Sequence, residues 1–241
     1  MTFILGMNCF DGIVLAADSL EEDGINKRIV DKLSWYEGKE NSWGIAYGCA
    51  GNGPVISVFE EKVQELFLGT SILAELYSRG SIQEQFEAAM TYVYQKHPNE
   101  QLDVIAGVWG SKPIDKAVFH ARYRSDCLEI VKTYGIAGMD GSLANTLLSS
   151  MFIPSMNVDE ALPLAVFVTA IMKQKAAGVG GSTKVMSHKI GENGWEWHEP
   201  HKIVGLEARY PVDDFYDYLL HYWAEKNPEI KRPLDRFPYE E

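Results

Sequence analysis

The sequence predicts an α+β fold in which antiparallel sheets are covered by helices on their outer faces. Its elements run strands, two helices, strands, two helices and strands again, an order typical of antiparallel sheets packed against helices. Tight turns join several strand pairs, which makes neighbouring strands antiparallel. Of the 241 residues, 46% are hydrophobic and 23% charged, so one core can be buried without a composition break. We therefore expect a single domain over residues 1–241.

The first two strands form a hairpin that has a consequence for chemistry. Residues 2–9 and 12–18 are rich in Ile, Leu and Val and are joined at Asp11-Gly12, a strong hairpin signal. In a tight antiparallel hairpin the paired positions keep a constant index sum, which places Thr2 opposite a residue near 19 to 21. We therefore expect Asp18 to lie close to Thr2.

A second hairpin-like pair covers residues 29–36 and 42–49, and the turn Gly51-Asn52-Gly53 follows. Apolar residues then recur at helical spacing from Val55 to the Gly69 stop. Ser81 and Glu84 have the spacing of a capping box before the next amphipathic segment. The sequence thus predicts two consecutive helices after the second hairpin.

The second half of the chain is predicted to contain strands, two helices and a final hairpin. Strands are predicted at 103–109, 116–122 and 128–132, helices at 142–152 and 158–175, and a hairpin at 183–190 and 195–198. A C-terminal helix and tail should cover residues 211–241. Its aromatic stripe comprises Phe215, Tyr218, Leu219, Tyr222 and Trp223, which can dock onto this subunit's own core or contact another subunit.

Charge and composition exclude several classes of partner. Lys and Arg total 22 against 34 Asp and Glu, a net charge of −12 that repels nucleic acid and anionic lipid. The longest apolar stretch, residues 162–172, is too short to span a membrane. Because no signal peptide pattern opens the chain, we expect a cytoplasmic protein.

No cofactor or metal is expected. Cys9, Cys49 and Cys127 show no CxxC spacing and should be reduced thiols. His198 and His201 could be drawn as a metal cluster with nearby glutamates but lack a ligand-spacing motif. The glycines of residues 178–181 lack the lysine of a phosphate loop and indicate a close backbone approach or a bend.

Thr2 is the candidate nucleophile. A threonine hydroxyl is a weak nucleophile unless a base lies within hydrogen-bonding reach. If Met1 is removed, the α-amino group of Thr2 becomes that base, because its ordinary pKa of about 7.7 to 8.0 leaves part of it neutral near pH 7. Since many proteins begin Met-Thr by chance, the case needs further residues.

Two charged residues in apolar surroundings strengthen the case. Asp18 ends the apolar run of residues 12–17, so its carboxylate must find a cation or hydrogen-bond donors. Lys32 lies between apolar neighbours on a predicted strand. A structural ion pair would satisfy both, whereas an ammonium beside Thr2 would also favour alkoxide character.

Residues 2–19, 29–33 and 46–53 resemble the β-type subunits of the proteasome and its bacterial relatives, most specifically at GIVLAADS. The resemblance implies a threonine peptidase with a four-layer αββα sandwich of two antiparallel sheets. It implies that Thr2, Asp18, Lys32 and the backbone N–H of Gly51 act in catalysis, with Asp140 before a helix. It also implies that Glu22 and Gly53 offer main-chain groups to an extended peptide or protein substrate, that Cys49 lines its side-chain pocket, and that the subunits form a homo-oligomeric ring.

The sequence departs from that family at supporting positions. Asp140, or Met139 in a shifted register, stands where the family has a serine, and Ala176 and Val179 replace an aspartate and a serine. Two other functions therefore stay open. The chain could be a non-catalytic ring or scaffold subunit, or it could pass the acyl-enzyme to an amine as a ligase or amidotransferase.

Overall fold

The structure, a computed structural model, describes residues 1–22, 26–38, 43–69, 79–110, 116–122, 128–138 and 141–209. These residues form twelve strands: β1 (Phe3–Asn8), β2 (Gly12–Ala17), β3 (Leu20–Glu22), β4 (Lys27–Ile29), β5 (Leu33–Glu37), β6 (Trp43–Gly51), β7 (Leu102–Gly110), β8 (Ala117–Ala121), β9 (Glu129–Val131), β10 (Tyr134–Gly138), β11 (Lys184–Lys189) and β12 (Glu196–Trp197). They also form five helices: α1 (Gly53–Gly69), α2 (Arg79–Lys96), α3 (Ser142–Met151), α4 (Val158–Lys175) and α5 (Pro200–Arg209).

Two five-stranded antiparallel sheets organise the chain, which confirms the α+β class. The first sheet has the order β10-β1-β2-β11-β12, and the second has the order β5-β6-β7-β8-β9. Strands β3 and β4 form a separate two-stranded ribbon. The hairpin predicted from Asp11-Gly12 is present, with Ile4 opposite Ala17 and Asn8 opposite Ile13.

Helices pack on one face of each sheet. Phe3 and Leu5 of β1 pack with α3 and α4 in one core, and Tyr47 of β6 packs with α1 and α2 in a second core. Because successive strand residues point to opposite faces, the neighbouring Ile4 enters a third core. That third core contains side chains of both sheets, including Ile105 of β7.

Helix α4 covers the predicted residues 158–175 and begins at an Asn157–Glu160 capping box. Its Pro163 lies inside the helix, where it removes one backbone donor without ending the helix. Ser81, the predicted cap of the preceding helical segment, lies inside α2, which already includes Arg79. The capping-box prediction for Ser81 is therefore wrong.

One strand prediction is wrong, and strands β3 and β10 have no predicted counterpart. Residues 29–36 are not one strand, because β4 ends at Ile29 and β5 begins at Leu33. Lys32 therefore lies in the connection between the ribbon and the second sheet. Strand β10 was not predicted; its sequence, YGIAG, contains two glycines, a residue that weakens the strand signal.

The C-terminal segment 211–241, with its aromatic stripe, lies outside the described residues, as do Cys127 and Asp140. Within the described ranges, no helix combines the length and apolar character that crossing a membrane requires. The same ranges contain no group of three His, Cys, Asp or Glu residues able to hold a metal ion. His198 instead contacts Ser187, 2.8 Å from its hydroxyl.

Candidate active site

Asp18 is held beside the start of β1 by backbone donors. Its side chain is fully buried and accepts hydrogen bonds from the N–H of Phe3 at 2.9 Å and of Gly180 at 3.1 Å. The N–H of Leu20 donates to the same carboxylate at 3.3 Å. A buried carboxylate needs such partners because it has lost its water. Asp18 is therefore fixed beside Phe3, the residue that follows Thr2.

Lys32 completes this buried group. Its ammonium lies 2.8 Å from Asp18 Oδ1 and its side chain is only 6% exposed. It also donates to the carbonyls of Leu20 at 2.5 Å and Met1 at 3.3 Å. Burial lowers the pKa of Lys32, while the hydrogen bond and charge of Asp18 act in the opposite direction. The ammonium is thus fixed against the Met1–Thr2 peptide.

The glycine-rich segment after α4 lies against Asp18 and Ser19. The carbonyl of Gly180 accepts hydrogen bonds from the N–H groups of Ser19 and Leu20. The Ser19 hydroxyl accepts one from the Ser182 N–H at 2.8 Å. This is the close backbone approach that the glycines of residues 178–181 indicated.

Gly51 and Gly138 each allow two backbone segments to approach closely, β6 to Gln101 and β10 to Thr2. Gly51 ends β6 with φ 144°, and a Cβ there would lie 2.0 Å from the Gln101 carbonyl oxygen. Gly138 ends β10 with φ 98°, and its Cβ would lie 2.1 Å from the Thr2 carbonyl oxygen. Both positions need glycine, because another residue would be strained and would collide with main chain.

A carboxylate on β7 links these two strands. Asp103 Oδ2 accepts a hydrogen bond from the Gly138 N–H at 3.0 Å, and Asp103 pairs with Ala50 in the β6–β7 register. Its other oxygen lies 2.7 Å from Nε2 of the buried His120 on β8. Asp103 therefore ties the first sheet, which carries Thr2, to the second sheet, which carries Gly51.

A cavity of about 1020 Å³ lies beside Thr2, and the buried Asp18 is not among its lining residues. Thr2, Lys32, Gly51 and Asp103 line it. The predicted substrate-binding residues line it too, and they are Glu22, Cys49 and Gly53. Burial, followed by the charges of Glu60 and Asp103, raises the pKa of Cys49, so its thiol stays protonated and is no competing nucleophile.

Met1 occupies one wall of this cavity. It is 62% exposed and lies against Gly178, where an added Cβ would be 3.1 Å from the Met1 Cβ. While Met1 is attached, the nitrogen of Thr2 is an amide and cannot accept a proton. Removal of Met1 would leave Thr2 as the terminal residue without disturbing the core.

Ala176 and Val179, the two apolar residues that differ from the proteasome β-subunit pattern, lie close to the site. Val179 is 5% exposed and belongs to the core beneath α4, and Ala176 packs against the same core. Neither supplies a polar group. On this side the Gly180 N–H donates to Asp18 instead, and Ser19 hydrogen-bonds Ser182.

Sequence reasoning missed Asp103, His120, Ser19 and Ser182. The signal for the first two was available, because Asp103 starts an apolar strand and His120 interrupts the apolar run 117–121. A polar residue in such a run must find a partner. Sequence alone could not show that the partners were each other, since the pairing depends on the β7–β8 register.

Comparison with known proteins supports the fold. No protein-family model matches the sequence, and no curated protein matches it. Solved structures do match. The chain has the fold of the Anbu proteins.

A Gly-1 mutant of Anbu from Hyphomicrobium sp. strain MC1 superposes with a TM-score of 0.75 at 13% identity, over 93% of this chain and 99% of that one. Anbu from Yersinia bercovieri, described as an ancestral β-subunit, gives 0.74 at 13% identity over 99% of each chain. The helical assembly of the Anbu complex from Pseudomonas aeruginosa gives 0.73 at 15% identity, over 99% and 98%.

These neighbours correct the family suggested by the sequence. The identification with β-type proteasome subunits is wrong, because the matching structures are Anbu proteins, which are proteasome-like but distinct. The residues that carried the resemblance lie in the first hairpin, in the connection at Lys32 and at the end of β6. These residues belong to parts of the fold that proteasome subunits and Anbu proteins share. They therefore cannot distinguish one family from the other.

Proposed function

We propose that this protein is a threonine hydrolase that cleaves peptide or other amide bonds through an acyl-enzyme on Thr2, after Met1 is removed. The observation that carries the proposal is the place of Thr2 on the cavity wall, beside the buried Asp18–Lys32 pair. A buried ion pair adds little stability by itself. Its place next to a hydroxyl nucleophile gives it a chemical use.

Once Met1 is removed, the chemistry needs only groups of this chain and a water molecule. The free α-amine of Thr2 takes the hydroxyl proton as Oγ attacks the substrate carbonyl carbon. The backbone N–H of Gly51 stabilises the resulting oxyanion, and Lys32 favours the negative charge on Oγ. The amine then protonates the leaving nitrogen, the C–N bond breaks, and an ester remains on Thr2. Water, deprotonated by the same amine, hydrolyses the ester and restores the hydroxyl.

Other residues have supporting roles in this proposal. Asp18 holds Lys32, and the sequence resemblance gives Asp140 the role of orienting the amine. Main-chain groups of Glu22 and Gly53 align an extended substrate, and Cys49 lines the pocket for its side chain. Replacing Asp140 by Asn should lower the turnover number more than it changes KM, because the substrate does not contact an orienting group.

Intact mass and one pair of variants test the mechanism. The purified protein should lack one methionine, and a peptide epoxyketone should add its mass at Thr2. Thr2→Ser should keep labelling and part of the turnover, because it keeps a hydroxyl on a terminal residue. Thr2→Ala should lose both. Unchanged peptide turnover by Thr2→Ala, or a native chain that still carries Met1, would contradict the proposal.

Two other outcomes would change the function. The apolar side chains at Ala176 and Val179 favour a non-catalytic scaffold subunit, and a scaffold should not react with the epoxyketone. If Thr2 reacts and an added amine appears in the product, the protein is an amidotransferase or ligase. Hydrolysis product alone, at saturating amine, supports the hydrolase.

We further propose that the three cores separate the layers of a four-layer αββα sandwich, the arrangement of N-terminal-nucleophile hydrolases. We propose a single domain over residues 1–241 that assembles into a homo-oligomer with closed ring symmetry. The Anbu complex of Pseudomonas aeruginosa is described as a helical assembly, so an open helical arrangement is the alternative. Light scattering and negative-stain microscopy distinguish a monomer, a closed ring and a helix. A cytoplasmic location stays a prediction.

A further inference from the structure

One face of α1 forms part of the cavity wall. Gly53, Ser57 and Glu60 line it at helical spacing, and Ile56 lies beside them. Cys49 and Gly51 line the cavity from β6. A substrate carbonyl at the Gly51 N–H would therefore direct its own side chain between β6 and α1, toward Glu60.

Among the described residues, the charges on the cavity wall are paired with one exception. Four of the five carboxylates that line it have partners, which are Arg28 for Glu21, Lys27 for Glu22, Lys184 for Asp31 and His120 for Asp103. The two lining cations, Arg28 and Lys32, are held by Glu21 and Asp18. Apart from the terminal amine, the part of the wall that the structure describes thus offers no cation to the fifth carboxylate, Glu60.

Glu60 has an ionisable carboxylate whose charged form is disfavoured by its surroundings. It is partly buried, and in the described part of the chain its carboxylate has no hydrogen bond or ion pair. Burial raises its pKa. Its charge acts on Cys49, Tyr36 and Tyr47, three neutral side chains that compensate none of it. A partly buried carboxylate that lacks a partner is stabilised when a cation enters the cavity and pairs with it.

We propose that the cavity selects substrates with a lysine or arginine side chain on the acyl side of the cleaved bond, and that Glu60 binds the charged end. This specificity rests on the proposed hydrolase function. A long basic side chain suits the space, because its aliphatic stem can lie along Ala50 and Ile56 while its charged end reaches Glu60. An acidic side chain would add repulsion at the same point.

Three peptide epoxyketones test this specificity, with Arg, Leu or Glu next to the reactive group and otherwise identical. Labelling of Thr2 is followed by intact mass, and the rate constants are compared as the Arg-to-Leu and Glu-to-Leu ratios. The wild-type protein should react fastest with Arg and slowest with Glu. Glu60→Gln should lower the Arg-to-Leu ratio roughly tenfold, the size expected for a charge-assisted hydrogen bond. Glu60→Lys should make Glu the better side chain.

Glu61→Gln is the matched control, because it makes the same change one residue along α1 on the exposed side of the helix. It should keep the wild-type ratios. An Arg-to-Leu ratio that Glu60→Gln leaves unchanged would overturn the specificity while leaving the hydrolase intact. Equal loss with all three side chains would also overturn it, by showing a structural role. Absence of labelling with every epoxyketone would instead contradict the acyl-enzyme proposal itself.

Discussion

The ammonium of Lys32 is the cation paired with the buried carboxylate of Asp18, whose other partners are neutral backbone donors. Lys32→Met should therefore lower the free energy of unfolding by about 3 kcal/mol, because it leaves an uncompensated carboxylate in the interior. Epoxyketone labelling of Thr2 should be lost with it. Urea unfolding measures the first effect and intact mass the second. Lys27→Met makes the same change at an ion pair whose lysine is 66% exposed and should cost less than about 1 kcal/mol. Equal costs would show that Asp18 is not stabilised by Lys32.

Glu60 offers a second test at the same scale, through stability and pH. Burial raises its pKa above 4.5 in the folded protein, so between the unfolded and folded values the folded state binds more protons. Stability from this group is thus greatest at acid pH and is lost as the pH rises through the folded pKa. Glu60→Gln should unfold at a higher urea concentration than wild type at pH 7, and the gap should close near the unfolded value.

The neighbouring groups do not disturb this titration. Burial raises the pKa of Cys49, Tyr36 and Tyr47, so all three stay neutral across the acid window. The same comparison with Glu61→Gln should show no pH-dependent gap. A constant difference between Glu60→Gln and wild type at every pH would contradict the assigned desolvation. The specificity and the instability at neutral pH would then have different sources.

At the scale of elements, the end of β10 holds the start of β1 in place. Gly138→Ala should prevent correct folding there, because its φ of 98° is strained for alanine and the new Cβ would lie 2.1 Å from the Thr2 carbonyl oxygen. Thermal unfolding and Thr2 labelling should both report the loss. Gly205→Ala in α5 is the control, since nothing lies within 4 Å of its added Cβ. That change should be neutral or stabilise by up to about 1 kcal/mol. Normal labelling in Gly138→Ala would contradict the close approach.

Some strands and helices can be predicted from their own residues, whereas others depend on contacts with distant parts of the chain. The β1–β2 hairpin and helix α4 were predictable because Asp11-Gly12 and the periodic apolar residues of 158–175 are local signals. Strand β10 carries two glycines in five residues and exists through its pairing with β1. Lys32 lies outside any strand because the β3–β4 ribbon interrupts residues 29–36. The tie from Asp103 to Gly138 and His120 depends on contacts between strands distant in sequence.

In the whole molecule, the candidate site spans both sheets. Thr2 precedes β1 of the first sheet, whereas Gly51 ends β6 of the second. The distance between the proposed nucleophile and the proposed oxyanion donor is therefore set by the core that the sheets share. A helix-facing core lies on the other side of each sheet and does not separate these two residues. A cavity-forming substitution in the shared core should therefore slow the reaction at Thr2 more than an equally destabilising substitution in a core beneath the helices.

A pair of fully buried isoleucines in the second sheet tests this dependence. Ile105 lies in the shared core, where its Cγ2 would be 2.5 Å from a Cβ added to Gly6, whereas Ile45 lies in the core beneath α1 and α2. Changing either to alanine should cost about 2 to 5 kcal/mol, since both leave a cavity. Ile105→Ala should in addition slow Thr2 labelling in the folded fraction, because the sheets can shift by a fraction of an ångström. Ile45→Ala should lose stability alone. Equal labelling rates in the two variants, at conditions where both are folded, would show that the spacing of the sheets does not control the site.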